Sequence, residues 1–296
     1  MDRFPSRERS AAVTLGPRIT AIVVTNHTGR SLDLCLRSAL AEPWIDELVI
    51  VDTGNPPEVS SALRALQADR RDVFVIAGRA DMSAAAAANL GAAQARGRWL
   101  LFLDPHVVLQ RGAAARMAAA GGAAMEPWIV GGRLTDTTGR DRRAARAGAL
   151  NVWSALAVAM DWPRRRIGVK PQRGRGPANE PAPVGAVSGA FMLIPRAHFA
   201  ALGGFDEGFF TDAADLDLCR RACEAGGGVL FEAAAAGVQF SGRHPRRREA
   251  QGLARFAVKS ARTPLERVFA AIAGPTLLLI LALRDFIGGR PPVRKA

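Results

Sequence analysis

An α/β fold around a parallel sheet is what this sequence predicts, and three observations predict it. Short apolar runs rich in β-branched residues recur through the first hundred residues. Segments with helical spacing separate them. The runs are almost continuously apolar, which marks strands buried on both faces. Strands that alternate with helices in this way build a parallel sheet with helices over both its faces.

Ile19–Thr25 (ITAIVVT) is the first strand, and Ser31–Ala41 follows as a helix with Ser31 placed to cap it. Glu47–Asp52 (ELVIVD) is the second strand, Glu58–Ala68 a helix and Val73–Ile76 the third strand. Ser83–Arg96 is an Ala-rich helix, and Trp99–Asp104 (WLLFLD) is the fourth strand. In such sheets ligands bind beyond the carboxyl ends of the strands. Thr25, Asp52 and Asp104 stand at three of those ends, which makes them the first candidate site.

The second half reads less regularly. Ala149–Met160 has the composition of an apolar helix, and residues 164–183 form a loop rich in Arg, Pro and Gly. Val184–Ile194 reads as one strand. Ala214–Ala225 reads as a helix stopped by Gly226, Gly227 and Gly228. Val229–Phe231 and Val238–Phe240 read as two short strands. The expected layout is a polar tail over 1–17, an α/β domain over 18–245 and a helical segment over 246–296.

With 296 residues, 49% of them hydrophobic, the chain has enough apolar material for a large core. Its net charge of +13 favours anionic partners such as phosphates or an anionic lipid surface. Nucleic acid is not expected as a partner. The Arg clusters have no aromatic residues between them and the chain has no Tyr, so a base-stacking platform is missing. Cys35, Cys219 and Cys223 form no CxxC and read as thiols of a reducing compartment. TNHTGR follows the first strand where a dinucleotide oxidoreductase would carry GxGxxG.

Met1–Ser10 is polar, so no signal peptide is expected and the location is read as cytoplasmic. Val268–Leu283 carries no charge but is broken by Gly274 and Pro275. It is shorter than the roughly 20 apolar residues of a spanning helix. Its flanks, Arg262, Arg267, Arg284 and Arg290, suit an anionic membrane surface. A peripheral position at the inner face of the cell membrane is the expectation.

Five stretches in this order resemble glycosyltransferase family 2, and within it the bacterial rhamnosyltransferase-like branch. They are Ile22–His27 (IVVTNH), Val51–Asn55 (VDTGN), Ala84–Gly91 (AAAAANLG), Leu100–Val107 (LLFLDPHV) and the block from Val187 to Cys219. The resemblance implies a GT-A fold, a nucleotide-sugar-binding sheet with helices on both faces, and the C-terminal apolar helical segment lies beyond the stretches that carry it. It implies inverting transfer of a sugar from a nucleotide diphosphate donor, and a cell-envelope saccharide or lipid-linked acceptor is the one that fits the C-terminal apolar segment. It assigns Asp215 as catalytic base. Thr25, His27, Asp52, Asn89 and Asp104 bind the donor, while Ser188, Gly189 and Asp217 face the acceptor. It implies a divalent cation, Mn or Mg, held by Asp104 and His106 with His244 as a further ligand, the alternative being weak metal binding with Arg243–Arg248 neutralising the phosphates.

Three departures stand against that pattern. His106 replaces a carboxylate of the metal motif, and imidazole suits manganese better than Mg²⁺. Gln239 and Phe240 stand where the family has a His, with His244 a few residues on. Ala214 replaces the Glu that precedes the catalytic Asp. These departures motivate an alternative reading, a non-catalytic homologue that binds a nucleotide or a partner at the membrane surface.

Overall fold

The computed structural model describes residues 19–26, 29–142, 146–147, 180–210, 213–240 and 246–268. These fall into two units. The larger carries all the strands and the helices up to Glu224, and the smaller carries the helix Arg246–Ser260.

In the larger unit β1 (Ile19–Thr25) lies between β2 (Ile45–Asp52) and β4 (Trp99–Leu103), parallel to both. β3 (Val73–Ala77) extends the sheet beside β2, also parallel. Helices α1 (Arg30–Ala41), α2 (Pro57–Asp69) and α3 (Ala84–Gln94) connect these strands. Each lies within two residues of its predicted bounds. Ser83 caps α3, its hydroxyl accepting from the Ala86 N–H at 3.0 Å. Ile19, Ile22, Leu48, Ile50, Leu100 and Leu101 are fully buried, as strands covered on both faces require.

The parallel pattern stops at β4. The sheet has nine strands among the described residues, in the order β3-β2-β1-β4-β10-β6-β11-β5, with β8 beside β11. Here β5 is Val107–Leu109, β6 is Ile129–Thr135 and β10 is Phe191–Pro195. β8 is Ala182–Pro183 and β11 is Val229–Gln239. β10 runs antiparallel between β4 and β6, so the sheet is mixed rather than parallel. A continuous apolar run reports burial, not direction, and the sequence therefore could not distinguish the two.

Two strand expectations also change. Val184–Ile194 is not one strand. β9 (Ala186–Val187) pairs with β7 (Arg146–Ala147) in a separate small sheet, and the chain turns at Ser188–Ala190 before entering β10. Conversely, residues 229–240 hold one strand, not two. β11 crosses its alanines through an irregularity between Glu232 and Ala236, where the Glu232 carboxylate accepts from the Ala234 N–H at 2.8 Å. β6 gave no apolar signal because Gly131 and Gly132 occupy its centre. A Cβ at Gly132 would lie 2.1 Å from the ring of Phe191, so the glycine lets β10 pack against it.

Helices α4 (Ala113–Gly121), α5 (Arg196–Ala201) and α6 (Ala214–Glu224) complete the described part of this unit. In the smaller unit α7 (Arg246–Ser260) buries Leu253, Ala254, Phe256 and Ala257. After it Thr263 and Glu266 form a capping box, with Glu266 Oε2 accepting from the Thr263 N–H at 3.1 Å and Thr263 Oγ1 from the Glu266 N–H at 3.2 Å. No helix among the described residues is long and apolar enough to cross a membrane. The apolar run predicted over 268–283 lies outside them apart from Val268, as do the predicted helix 149–160 and most of the loop 164–183.

Candidate active site

The strand register brings Thr25, Asp52, Asp104, Ser188 and Gly189 to one edge of the sheet. Thr25 pairs with Asp52 across β1 and β2. Leu103, one residue before Asp104, pairs with Phe191, which follows Ser188 and Gly189. At the same edge β11 ends at Gln239, opposite Val107.

On the side where the donor is expected, Asp52 organises the loop after β2. Its Oδ1 accepts from the N–H groups of Gly54 (3.2 Å) and Asn55 (3.0 Å) and from Asn55 Nδ2 at 2.8 Å. Its Oδ2 accepts from the hydroxyl of Ser60 on α2. Thr25 is fully buried beneath this loop, and its hydroxyl donates to Asn55 Oδ1 at 3.3 Å. Asn26, exposed, donates to Thr53 O at 3.1 Å. His27 lies outside the described residues. Asn55 and Ser60 escaped the sequence reading. Asn55 was legible in VDTGN as a turn residue able to bond its own loop, whereas Ser60 lay hidden in a helix.

Burial raises the Asp52 pKa, but the Ser60 hydroxyl and the N–H groups of Asn55 and Gly54 outweigh it and hold the carboxyl below its ordinary value. A carboxylate with a depressed folded pKa adds stability that is present above its unfolded pKa of about 3.9. That stability is lost as pH falls through the folded value. Asp52→Asn is expected to lower the melting temperature by roughly 3–8 °C at pH 7. The gap from wild type should narrow below about pH 4 in melts taken across pH. A gap of the same size at pH 3 would show that the charged form is not what stabilises the loop.

On the metal side Asp104 Oδ1 accepts from the His106 N–H at 2.8 Å, and Ser31 at the start of α1 bonds His106 Nδ1 at 2.7 Å. The Phe240 N–H donates to His106 O at 2.8 Å. The departures at His106 and at Gln239–Phe240 are therefore spatial neighbours. Among the described residues no three His, Cys, Asp or Glu side chains group as a metal site needs. Asp104 and His106 alone fall short of the donor set of a divalent ion, and His244 lies outside the described residues.

On the side where the acceptor is expected, Asp215 sits in the first turn of α6. Its Oδ2 accepts from the Gly189 N–H at 2.7 Å and its Oδ1 from the Leu216 N–H at 2.8 Å. Gly189 approaches Asp215 so closely that a side chain there would press on its Cβ. Ser188 Oγ accepts from the Ala190 N–H at 3.2 Å, and Ala190 O accepts from the Asp104 N–H at 2.9 Å. One turn, Ser188–Ala190, thus bonds Asp215 through Gly189 and Asp104 through Ala190.

Two predicted residues have other neighbours. Asp217 is completely buried, with Oδ1 bonded by Arg220 at 3.0 Å and Oδ2 by Arg221 at 2.8 Å. Burial and these two ion pairs hold its carboxylate inside the fold. Asn89 on α3 donates to Phe205 O (2.9 Å) and Glu207 Oε1 (3.0 Å) and accepts from the Phe205 N–H (2.9 Å). Of the last three phenylalanines before α6, Phe205 and Phe209 are buried and Phe210 is 64% exposed. Cys35 and Cys219 are free and buried, and burial pushes both thiols up.

The fold has counterparts among solved structures. GalNAc-T7 with UDP, GalNAc and Mn²⁺ is 16% identical, with a TM-score of 0.63 over 93% of this chain and 58% of that one. The mannosyltransferase PcManGT from Pyrobaculum calidifontis, in complex with GDP-Man and Mn²⁺, is 17% identical, with a TM-score of 0.57 over 94% and 78% of the two chains. S. aureus TarS 1-349 in complex with UDP-GlcNAc is 11% identical, with a TM-score of 0.54 over 91% and 72%. At these identities the likeness shows the fold, which is mixed α/β and GT-A-like. No curated protein matches the chain by sequence. Residues 20–175 match the profile described as Glycosyl transferase family 2, more than half of the chain, and the chain belongs to that family.

Proposed function

We propose that this glycosyltransferase is an inverting enzyme that moves a sugar, of hexosyl or rhamnosyl type, from a nucleotide diphosphate donor to a cell-envelope saccharide or lipid-linked acceptor. Asp215 takes the proton of the acceptor hydroxyl. The hydroxyl oxygen bonds the anomeric carbon, and the bond from that carbon to the diphosphate oxygen breaks. The observation that carries this reading is the Ser188–Ala190 turn, which bonds Asp215 on one side and Asp104 on the other. It sets the base and the expected diphosphate side against one rigid backbone segment. The nucleoside is assigned to the edge formed by Thr25, Asp52 and the Asn55 loop, and the GT-A domain to residues 18–245. The basic, apolar sequence around Val268–Leu283 supports a place at the inner face of the membrane.

The short donor set at Asp104 and His106, together with Ala214, favours a second reading, a homologue that binds a nucleotide without turning over its sugar. Melts with UDP, GDP, dTDP and their sugars, with and without Mn²⁺, test the first reading. A nucleotide held at 100 times its dissociation constant adds about 2.7 kcal/mol, and so a shift of several degrees. A shift with at least one nucleotide, and release of that nucleotide from its sugar on adding an envelope extract, is the expected result. A shift without release supports the second reading, and no shift with any of them overturns both.

A further inference from the structure

We infer that Asn89 and Arg221 are positioning residues, which grip the loop Gly203–Glu207 from two helices and so keep the Asp215 helix in register with the donor edge of the sheet. The inference rests on the reading of Asp215 as the base. It reassigns Asn89, which the sequence reading placed on the nucleotide.

The loop needs outside partners. It leaves α5 through Gly203 and Gly204, with φ of 78° and 69°, where only their N–H groups find bonds within the helix. From one side Arg221 of α6 takes the carbonyls. Its Nη1 donates to Leu202 O and its Nη2 to Gly204 O at 2.7 Å, while its Nε holds Asp217 at 2.8 Å. A planar guanidinium satisfies all three acceptors together, and an ammonium group does not.

From the other side Asn89 of α3 pairs with Phe205 as a peptide in a neighbouring strand would. Its oxygen accepts from the Phe205 N–H and its Nδ2 donates to Phe205 O. The second proton of Nδ2 goes to Glu207 Oε1. Both donors of the amide are therefore used within the fold. The Phe205 ring fixes the centre of the loop, with its centroid 4.8 Å from that of Phe102 on β4.

These contacts join two otherwise separate parts of the site. α3 packs closely on β1 and β2, where a Cβ at Gly91 would lie 2.7 Å from Ile22 Cγ2. Those strands end at Thr25 and Asp52. α6 carries Asp215 in its first turn and Arg221 further along the same rigid rod. The loop is thus a strut from the donor edge to the base.

Amide hydrogen exchange on the full chain tests this in Asn89→Asp and Arg221→Lys, which preserve shape or charge. The decisive amide is Gly189, bonded to Asp215 but not to the loop. In both variants Phe205 and Gly189 are expected to exchange about five- to tenfold faster than in wild type. The melting shift with whichever of UDP, GDP or dTDP stabilises wild type should stay unchanged in Asn89→Asp, and transfer should lose kcat at a constant donor KM. Faster exchange at Phe205 with Gly189 as in wild type reduces the grip to a local staple and overturns the inference. Loss of the nucleotide shift with Gly189 unaltered overturns it too and returns Asn89 to donor binding. The exchange readout needs no turnover, so it stands apart from any failure of the proposed reaction.

Discussion

Asp215→Asn is expected to abolish sugar transfer while leaving nucleotide binding intact. An amide cannot accept the acceptor proton, and general-base contributions of this kind are worth about 10²–10⁴ in rate. The substitution nearly conserves shape but not hydrogen bonding. Asp215 presents two oxygens to two N–H donors, those of Leu216 and Gly189. Asparagine presents one oxygen and one NH₂, so one backbone N–H is left facing another donor. A stability loss of about 1–3 kcal/mol accompanies the loss of rate, and melts must show that the variant is folded at the assay temperature. The nucleotide-induced shift should survive, because the edge proposed to hold the nucleoside is built from β1, β2 and α2 rather than α6. Turnover near the wild-type rate would remove Asp215 from the chemistry. Loss of the nucleotide shift would move it to the donor side.

The first half of the fold was legible because each element carries its own signal. β1, β2, β3 and β4 are apolar runs, and the helices between them have caps or helical spacing. The second half was less so, for identifiable reasons. β6 owes its place to Gly131 and Gly132 lying under Val187 and Phe191, partners more than fifty residues away. β10 reads like any buried strand, and its reversed direction shows only in its register with β4 and β6. In β11 a run of alanines hid the continuity that β6 imposes by pairing on both sides of the irregularity.

The site divides in the same way. Thr25, Asp52 and Asp104 were legible as polar residues at strand ends, and the register places them at one edge. Asp215 and Gly189 came together as the sequence block suggested. The partners of Asn89 were not legible, because Phe205 and Glu207 lie on a loop that sequence spacing does not connect to α3. Asp217 was partly legible. Arg220 and Arg221 follow it at i+3 and i+4, the spacing of helical ion pairs, yet spacing alone does not reveal that the carboxylate is buried.

That burial sets the second large expectation, which is loss of stability in Asp217→Ala. The carboxylate is inaccessible, and two partly buried guanidinium groups converge on it. Removing one partner of such an arrangement leaves charge uncompensated and costs about 3–5 kcal/mol, more than an exposed pair would. For a chain of this size the melting temperature should fall by roughly 6–20 °C. Arg221 would also lose the contact that orients its fork towards Leu202 and Gly204. Arg220 fares no better, since its Nε is already buried without a hydrogen-bond partner among the described residues and its remaining bonds are to the half-exposed Glu224. Asp217→Asn keeps the volume and one acceptor oxygen, so its loss should be smaller but in the same direction. An acceptor-binding role predicts the opposite pattern. In that case Asp217→Asn would raise the acceptor KM and leave the melting temperature where it was, because a side chain that waits for a ligand contributes little to the unliganded fold.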